Sequence, residues 1–233
     1  MTDNAKRWEA AKFTKSTQIN AQAAKIEKNR FRYEAVSRDT GVPWDVIGVI
    51  HYRESSGDFK GVLHNGQKII GTGKLTTIVP KGRGPFSTWE EAAIDALVNA
   101  PPYAARNKDW SIAGTLDVLE RYNGLGYRNK GLPSPYLWSG TDQYVSGKYV
   151  KDGVYDPNHV DQQLGCATLL LKLREGKQTT FDGGGNDGII SPPDAPVIVH
   201  VEPFTPPKHF NIWPWVLGAV ILAVLFVVTQ VRF

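Results

Sequence analysis

The chain of 233 residues contains one cysteine, Cys166. An internal disulfide and a thiolate metal cluster are therefore both excluded. The apolar setting of Cys166, "LGCATLLL", marks it as a small buried hydrophobe rather than a nucleophile. The five histidines are scattered, and His51, His64, His200 and His209 show no His-x-x-x-His or carboxylate spacing, so no metal or cofactor is expected. The glycines near Gly183 are followed by no Lys-Ser/Thr pair, which excludes a phosphate-binding loop. Internal repeats are lacking as well. The opening residues, "MTDNAKRWEAAKF", have no apolar core, and no signal peptide is expected.

Charge is uneven. Residues 1–38 hold nine Lys/Arg against four Asp/Glu, a balance of +5, whereas the whole chain carries +4. Such an arm suits an anionic partner, or is simply a solvated helix surface. Aromatics do not interleave with these basic residues, so stacking on bases has no support and nucleic-acid binding is not expected.

A stretch near the C-terminus lacks charge altogether. "IWPWVLGAVILAVLFVVTQV", residues 212–231, matches the roughly 20 apolar residues that a helix needs to cross a bilayer core. Trp213 and Trp215 stand at its start, where interfacial aromatics belong, and Arg232 follows it. The expectation is a single-pass protein anchored in a lipid bilayer through residues 212–231. Before it, residues 181–210 are rich in Gly and Pro and read as a linker; thirty flexible residues have an r.m.s. reach of about 30 Å.

Periodicity organises the remainder. Residues 5–28 read as one polar or amphipathic helix and residues 31–38 as a second, closed by "DTG". A third begins at Pro43 and runs through "VPWDVIGVI". From Gly57 to Pro85 the pattern changes to Asn-Gly, further glycines and short β-branched runs, which predicts a hairpin or small sheet. "STWEEAAIDALVNAPP" opens with Ser87 and Glu90 in capping-box spacing and stops before Pro101. "DWSIAGTLDVLERYNG" is a helix capped by Asp109 and ended by Gly124. After loop-rich residues 125–156, a last helix with Pro157 near its start places Val160, Leu164, Ala167 and Leu171 on one face. The domain boundaries implied are 1–30 (basic helix), 31–180 (main domain), 181–210 (linker) and 211–233 (anchor).

One carboxylate stands out. Glu54 lies where the third helix gives out, in "HYRESSGDF". The carbonyl pole of a helix C-terminus disfavours a carboxylate, and partial burial acts in the same direction. Both raise the pKa, as a general acid requires. Arg53 would oppose this if it pointed the same way, but adjacent helical residues diverge by about 100°. On these residues alone, a solvated last-turn glutamate is the alternative. Far along the chain, "LERYNGLGY" places Tyr122 and Asn123 at a helix end before two glycines. There a phenol and an amide can bond a carboxyl group or sugar hydroxyls, or Tyr122 can simply cap its helix from the core.

Together these segments resemble the goose-type lysozyme and soluble lytic transglycosylase group, which pairs a catalytic Glu-Ser with a Tyr-Asn-x-Gly-like element about seventy residues later. "LHNGQ", "GPFSTWEEAAIDAL" and "RYNGLGYRNKGLPSPYLWSG" are similar to stretches of the phage-type relatives, so the likeness spans residues 30–173. The resemblance implies a mainly α, lysozyme-like α+β fold. It implies Glu54 as catalytic acid, with Ser55, Tyr122 and Asn123 as substrate-binding residues. Tyr127, Tyr136 and Trp138 would stack on sugar rings, each with burial in the core as the alternative. The Gly-Leu-Met-Gln element of the transglycosylase cleft is absent, and the 61–80 segment stands in its place, so hydrolysis and transglycosylation both stay open. Asp58 is the candidate second carboxylate; a turn residue is the other reading. The expected activity is cleavage of the MurNAc-GlcNAc β-1,4 bond in peptidoglycan glycan strands by a phage-type enzyme of the virion membrane or host inner membrane, for wall penetration or lysis. The alternative is a non-catalytic peptidoglycan-binding membrane protein that keeps the fold.

Overall fold

Seven consecutive positions, Asp45 to His51, are buried on one helix, which is therefore enclosed nearly all round by other described residues. The computed structural model describes residues 3–151 and 153–175. In chain order the helices are α1 (Asp3–Ala10), α2 (Ser16–Lys28), α3 (Arg30–Thr40), α4 (Trp44–Ser55), α5 (Trp89–Asn99), α6 (Ile112–Asn123), α7 (Gly126–Asn129), α8 (Pro135–Trp138) and α9 (Cys166–Arg174). A 3-10 turn, Ala104–Arg106, follows α5, and one antiparallel pair, β1 (Lys148–Lys151) and β2 (Val154–Asp156), precedes α9. Its register pairs Lys148 with Asp156 and Tyr149 with Tyr155. Among the described residues the fold is thus mainly helical with one small hairpin. All of them belong to one compact unit, Met1–Asp182.

The central α4 packs against α2, α3 and α9, while α3 leans on α5, and α8 bridges α6 and α9. Ile47, Val49 and Ile50 of α4, Ile19 and Ile26 of α2, Leu97 of α5, Leu119 of α6, and Leu169 and Leu170 of α9 share one core. Cys166 is fully buried there, as its setting suggested. Behind α4, Tyr33, His51, Phe59 and Trp89 form a ring cluster with centroids 4.5–6.0 Å apart. Tyr33 Oη and His51 Nδ1 lie 2.9 Å apart, and burial lowers the His51 pKa to about 4, so this imidazole is a neutral packing group.

Four expectations need correction. The basic N-terminal segment is two helices, and it is no appendage: Trp8, Ile19, Ala23 and Ile26 enter the core. The break between α1 and α2 has a tertiary cause. Phe13 bridges to Thr141, Thr14 N–H donates to Gly140 O, and Lys12 N–H donates to Asp142, so the backbone there pairs outward instead of continuing a helix. The 57–85 segment contains no strand, only an isolated bridge between Gly61 and Lys68. Gly66, Gly71, Gly73, Gly82 and Gly84 all take positive φ, which turns the chain too often for a ladder, and the hairpin lies instead at 148–156. The last helix starts at Cys166 and not near Pro157, because residues 161–165 bond to other elements: Asp161 N–H to Tyr144 Oη, Leu164 N–H to Tyr52 Oη and Gly165 N–H to Ser139 O. Val160 is accordingly exposed. Finally, the caps sit further on than expected. Thr88, with Glu91, caps α5, leaving Glu90 to Arg32, and Ser111 caps α6 while Asp109 holds the Ser111 N–H.

The linker 181–210 and the anchor 211–233 lie outside the described residues. Among the described residues no helix is long and apolar enough to cross a membrane.

Gly48 sets how closely α4 approaches its neighbours. A Cβ there would stand 2.6 Å from Ile26 Cγ2 and 3.3 Å from the Tyr33 ring, both on buried side chains. Gly48→Ala gains about 1 kcal/mol of helix propensity, but overpacking costs about 1–3 kcal/mol. The overlap should win, and thermal unfolding should show a melting temperature lowered by several degrees. A raised one would mean that α2 and α3 yield freely.

Candidate active site

The last turn of α4 sends three side chains to three different environments. His51 faces the ring cluster, Arg53 faces the 161–165 segment, and Glu54 faces Tyr136 of α8. The helix closes through two left-handed residues, Ser56 (φ 57) and Gly57 (φ 77). Ser56 N–H returns to Tyr52 O, and Gln163 Nε2 donates to the carbonyls of Tyr52 and Arg53. The end of α4 is therefore pinned from outside, and Glu54 projects from a fixed stem.

Glu54 is half-buried as a residue, and Tyr136 Oη donates to its Oε1 at 2.9 Å. Burial raises the Glu54 pKa to about 7, against the Tyr136 hydrogen bond and the charge of Arg53, which both favour the carboxylate. Desolvation wins because Arg53 is engaged elsewhere: its Nη2 meets Asp161 Oδ2 at 3.0 Å, and its Nη1 donates to the carbonyls of Gln163 and Leu164. The same guanidinium lies 4.8 Å from the centre of the Tyr136 ring. Tyr136 is thus held by a cation on its face and a carboxyl group at its hydroxyl.

Tyr122, expected to bond the acid or a sugar, donates instead to Leu63 O at 2.9 Å. It remains a close neighbour of Glu54, since burial and then the Glu54 charge push its phenol well above the usual tyrosine range. Asn123 is exposed and, with Gly124, lines a cavity of about 570 Å³ whose wall also includes Arg53, Tyr127, Tyr136 and Lys148. Ser55 Oγ bonds the carbonyls of His51 and Asp58, so its hydroxyl serves the turn. Asp58 accepts from Lys60 N–H and pairs with Lys68 at 2.8 Å; these contacts hold its carboxyl below the usual range. Asp58 occupies the turn position of its alternative reading, and no contact joins it to Glu54. Of the three aromatics, Trp138 is fully buried and bonds Asn4, which removes it as a stacking platform. Tyr127 is also buried, accepting from Tyr149 N–H, but part of it reaches the cavity, as does part of Tyr136.

Sequence reading missed Asp161 and Lys148, which with Arg53 form a charge cluster on the cavity wall: buried Asp161 and Arg53 pair, and half-exposed Lys148 places its Nζ 3.0 Å from Asp161 Oδ1. No local signal marks a pair 108 residues apart. Among the described residues no group of His, Cys, Asp and Glu is arranged to hold a metal ion. Comparison with models of known protein families, with curated proteins and with solved structures finds no match.

A raised carboxyl pKa has a sign that stability measurements can read. Between the ordinary value of 4.5 and about 7, the folded chain holds a proton on Glu54 that the unfolded chain has lost. Stability contributed by this group therefore falls as pH rises through that window, by about 2 kcal/mol after allowance for partial exposure. Glu54→Gln, which cannot ionise, should gain stability relative to the parent between pH 4.5 and pH 8 in denaturant titrations. A pH-independent difference would show that the Glu54 pKa is ordinary.

Proposed function

We propose that this chain cleaves the glycan strands of peptidoglycan at the MurNAc-GlcNAc β-1,4 bond, with Glu54 as proton donor. The observation that carries this reading is the Glu54–Tyr136 pair: a half-buried carboxyl group, neutral up to near pH 7, hydrogen-bonded by a phenol next to a cavity of about 570 Å³. The resemblance of the Glu-Ser and Tyr-Asn-Gly segments to goose-type lysozymes and soluble lytic transglycosylases supports it, as does the mainly helical fold with its small hairpin. The domain would be tethered through residues 212–231 to a virion membrane or host inner membrane.

In this mechanism the glycosidic oxygen takes the Glu54 proton as its bond to C1 breaks, leaving positive charge shared between C1 and the ring oxygen. Glu54 is then a carboxylate, stabilised by the Tyr136 hydroxyl. In this reading Glu54 itself removes the proton from the group that attacks C1. If that group is water the product has a reducing end; if it is the muramyl 6-hydroxyl, a 1,6-anhydro ring forms. The two products differ by one water, so mass spectrometry of fragments released from purified sacculi separates them.

Proton donation by a positioned acid is worth about 10² to 10⁴ in rate. Glu54→Gln should keep the fold and wall binding but lower sacculus digestion by about that factor. A well-folded variant that digests normally removes Glu54 from the mechanism, and a parent protein that binds sacculi without releasing fragments supports the non-catalytic alternative.

Tyr136→Phe tests the partner. The phenol favours the ionised acid, so its loss should raise the Glu54 pKa and move the alkaline limb of kcat, expected near pH 7, upward. The rate at the optimum should fall because the carboxylate formed on donation loses its donor. A limb that stays in place would assign it to another group.

A further inference from the structure

Residues 59–89 carry five basic side chains, Lys60, Lys68, Lys74, Lys81 and Arg83, and no acidic one. At the tip of this loop Leu75, Ile78 and Val79 are 44%, 52% and 79% exposed. Aliphatic side chains on a slack loop would turn inward; these are held out by a bonded frame. Gln67 Oε1 accepts from the N–H groups of Thr77 (2.9 Å) and Ile78 (3.1 Å). Asn65 Nδ2 donates to the carbonyls of Ile78 and Val79, and buried Thr76 bonds Pro80 O and the Arg83 N–H. The base of the loop is anchored by its own small core of Val62, Ile69, Phe86 and Ala92. Two of the five cations are paired, Lys68 with Asp58 and Arg83 with Asp95. Lys74 and Lys81, which flank the aliphatic tip, are exposed and enter no ion pair among the described residues.

We infer that residues 74–81 are a membrane-contacting tip, in which Leu75, Ile78 and Val79 enter the boundary between headgroups and acyl chains while Lys74 and Lys81 meet anionic headgroups. Ordered, exposed aliphatics bracketed by free cations fit an interface that is apolar within and negative at its surface. A protein partner would call for a shaped, partly polar surface, and a second copy of this loop would bring like charges together. The sequence also contains the charge-free run of residues 212–231, behind a linker whose reach is about 30 Å if flexible, which suits a domain that works close to a bilayer. The inference rests on the loop and is independent of the chemistry proposed for Glu54.

Because Cys166 is fully buried, Val79→Cys in the full-length chain offers one reactive thiol for an environment-sensitive fluorophore. With vesicles of phosphatidylglycerol and phosphatidylcholine, the label should shift to shorter wavelength and become shielded from aqueous iodide. The shift should be lost in phosphatidylcholine alone and on changing Lys74→Glu with Lys81→Glu, and a label at exposed Gln18→Cys on α2 should not move. Three results would overturn the inference: an unshifted Val79 label on protein that floats with the anionic vesicles, equal shifts at both positions, or equal shifts in both lipids. A shift that grows with protein concentration without vesicles would assign the tip to a second copy instead.

Discussion

The buried ion pair between Arg53 and Asp161 joins the parts of the molecule that local structure cannot. The two side chains are 7% and 2% exposed, and they tie the end of α4 to an irregular segment 108 residues away. Lys148 brings β1 to the same carboxylate, and the spare guanidinium donors satisfy two carbonyls that no ladder reaches. A buried pair of this kind adds little net stability over an apolar equivalent, but removing one partner strands a charge at a cost of about 3–5 kcal/mol. Its effect is specification: with Arg53 paired, residues 161–165 have one place to lie, and the cavity wall is set.

One residue further along α4, the opposite electrostatic outcome holds. Asp161 receives two cations and stays ionised, its carboxyl held below the usual range despite burial. Glu54 receives a phenol and little else, so desolvation prevails and its proton is kept to near pH 7. Helical geometry makes this division possible, since successive side chains leave the axis about 100° apart. Arg53 is therefore adjacent to Glu54 in sequence yet committed to another carboxylate. Its direct effect on Glu54 is a charge that favours the carboxylate but is outweighed by burial, and it also covers the face of the Tyr136 ring.

What was legible beforehand follows from the range of the forces involved. α3, α4 and α6 were visible because their signals are local: Gly41 at the end of α3, Pro43 ahead of α4, Gly124 after α6. Glu54 was visible as a candidate for the same reason, as a lone acid at the end of an apolar run. The partner of its carboxyl group was not. Tyr122 and Tyr136 are both tyrosines near helix ends, and only the fold decides that one bonds Leu63 O and the other Glu54, 82 residues away. The 157–165 segment reads as helix because its residues tolerate one; four tertiary attachments override that tolerance. In the 57–85 segment the β-branched runs were real, but Gly66, Gly71, Gly73, Gly82 and Gly84 all turn left-handed.

That glycine-rich loop also forms part of the setting of the acid. Gly66, at φ +75, approaches so closely that a Cβ would lie 2.0 Å from Glu54 O, so no other residue fits without moving the end of α4. Three residues earlier, Leu63 O takes the Tyr122 hydroxyl and so removes a rival donor from the Glu54 carboxylate. A hydroxyl free to turn to Glu54 would stabilise the anion and lower the pKa that burial raises. The placement of the loop thus helps keep Glu54 protonated. Through Asn65 and Gln67 the same strip of backbone that abuts Glu54 carries the frame of the aliphatic tip. The tip and the end of α4 thus share one short strip of backbone, residues 65–67, and a change in the packing of that strip touches both.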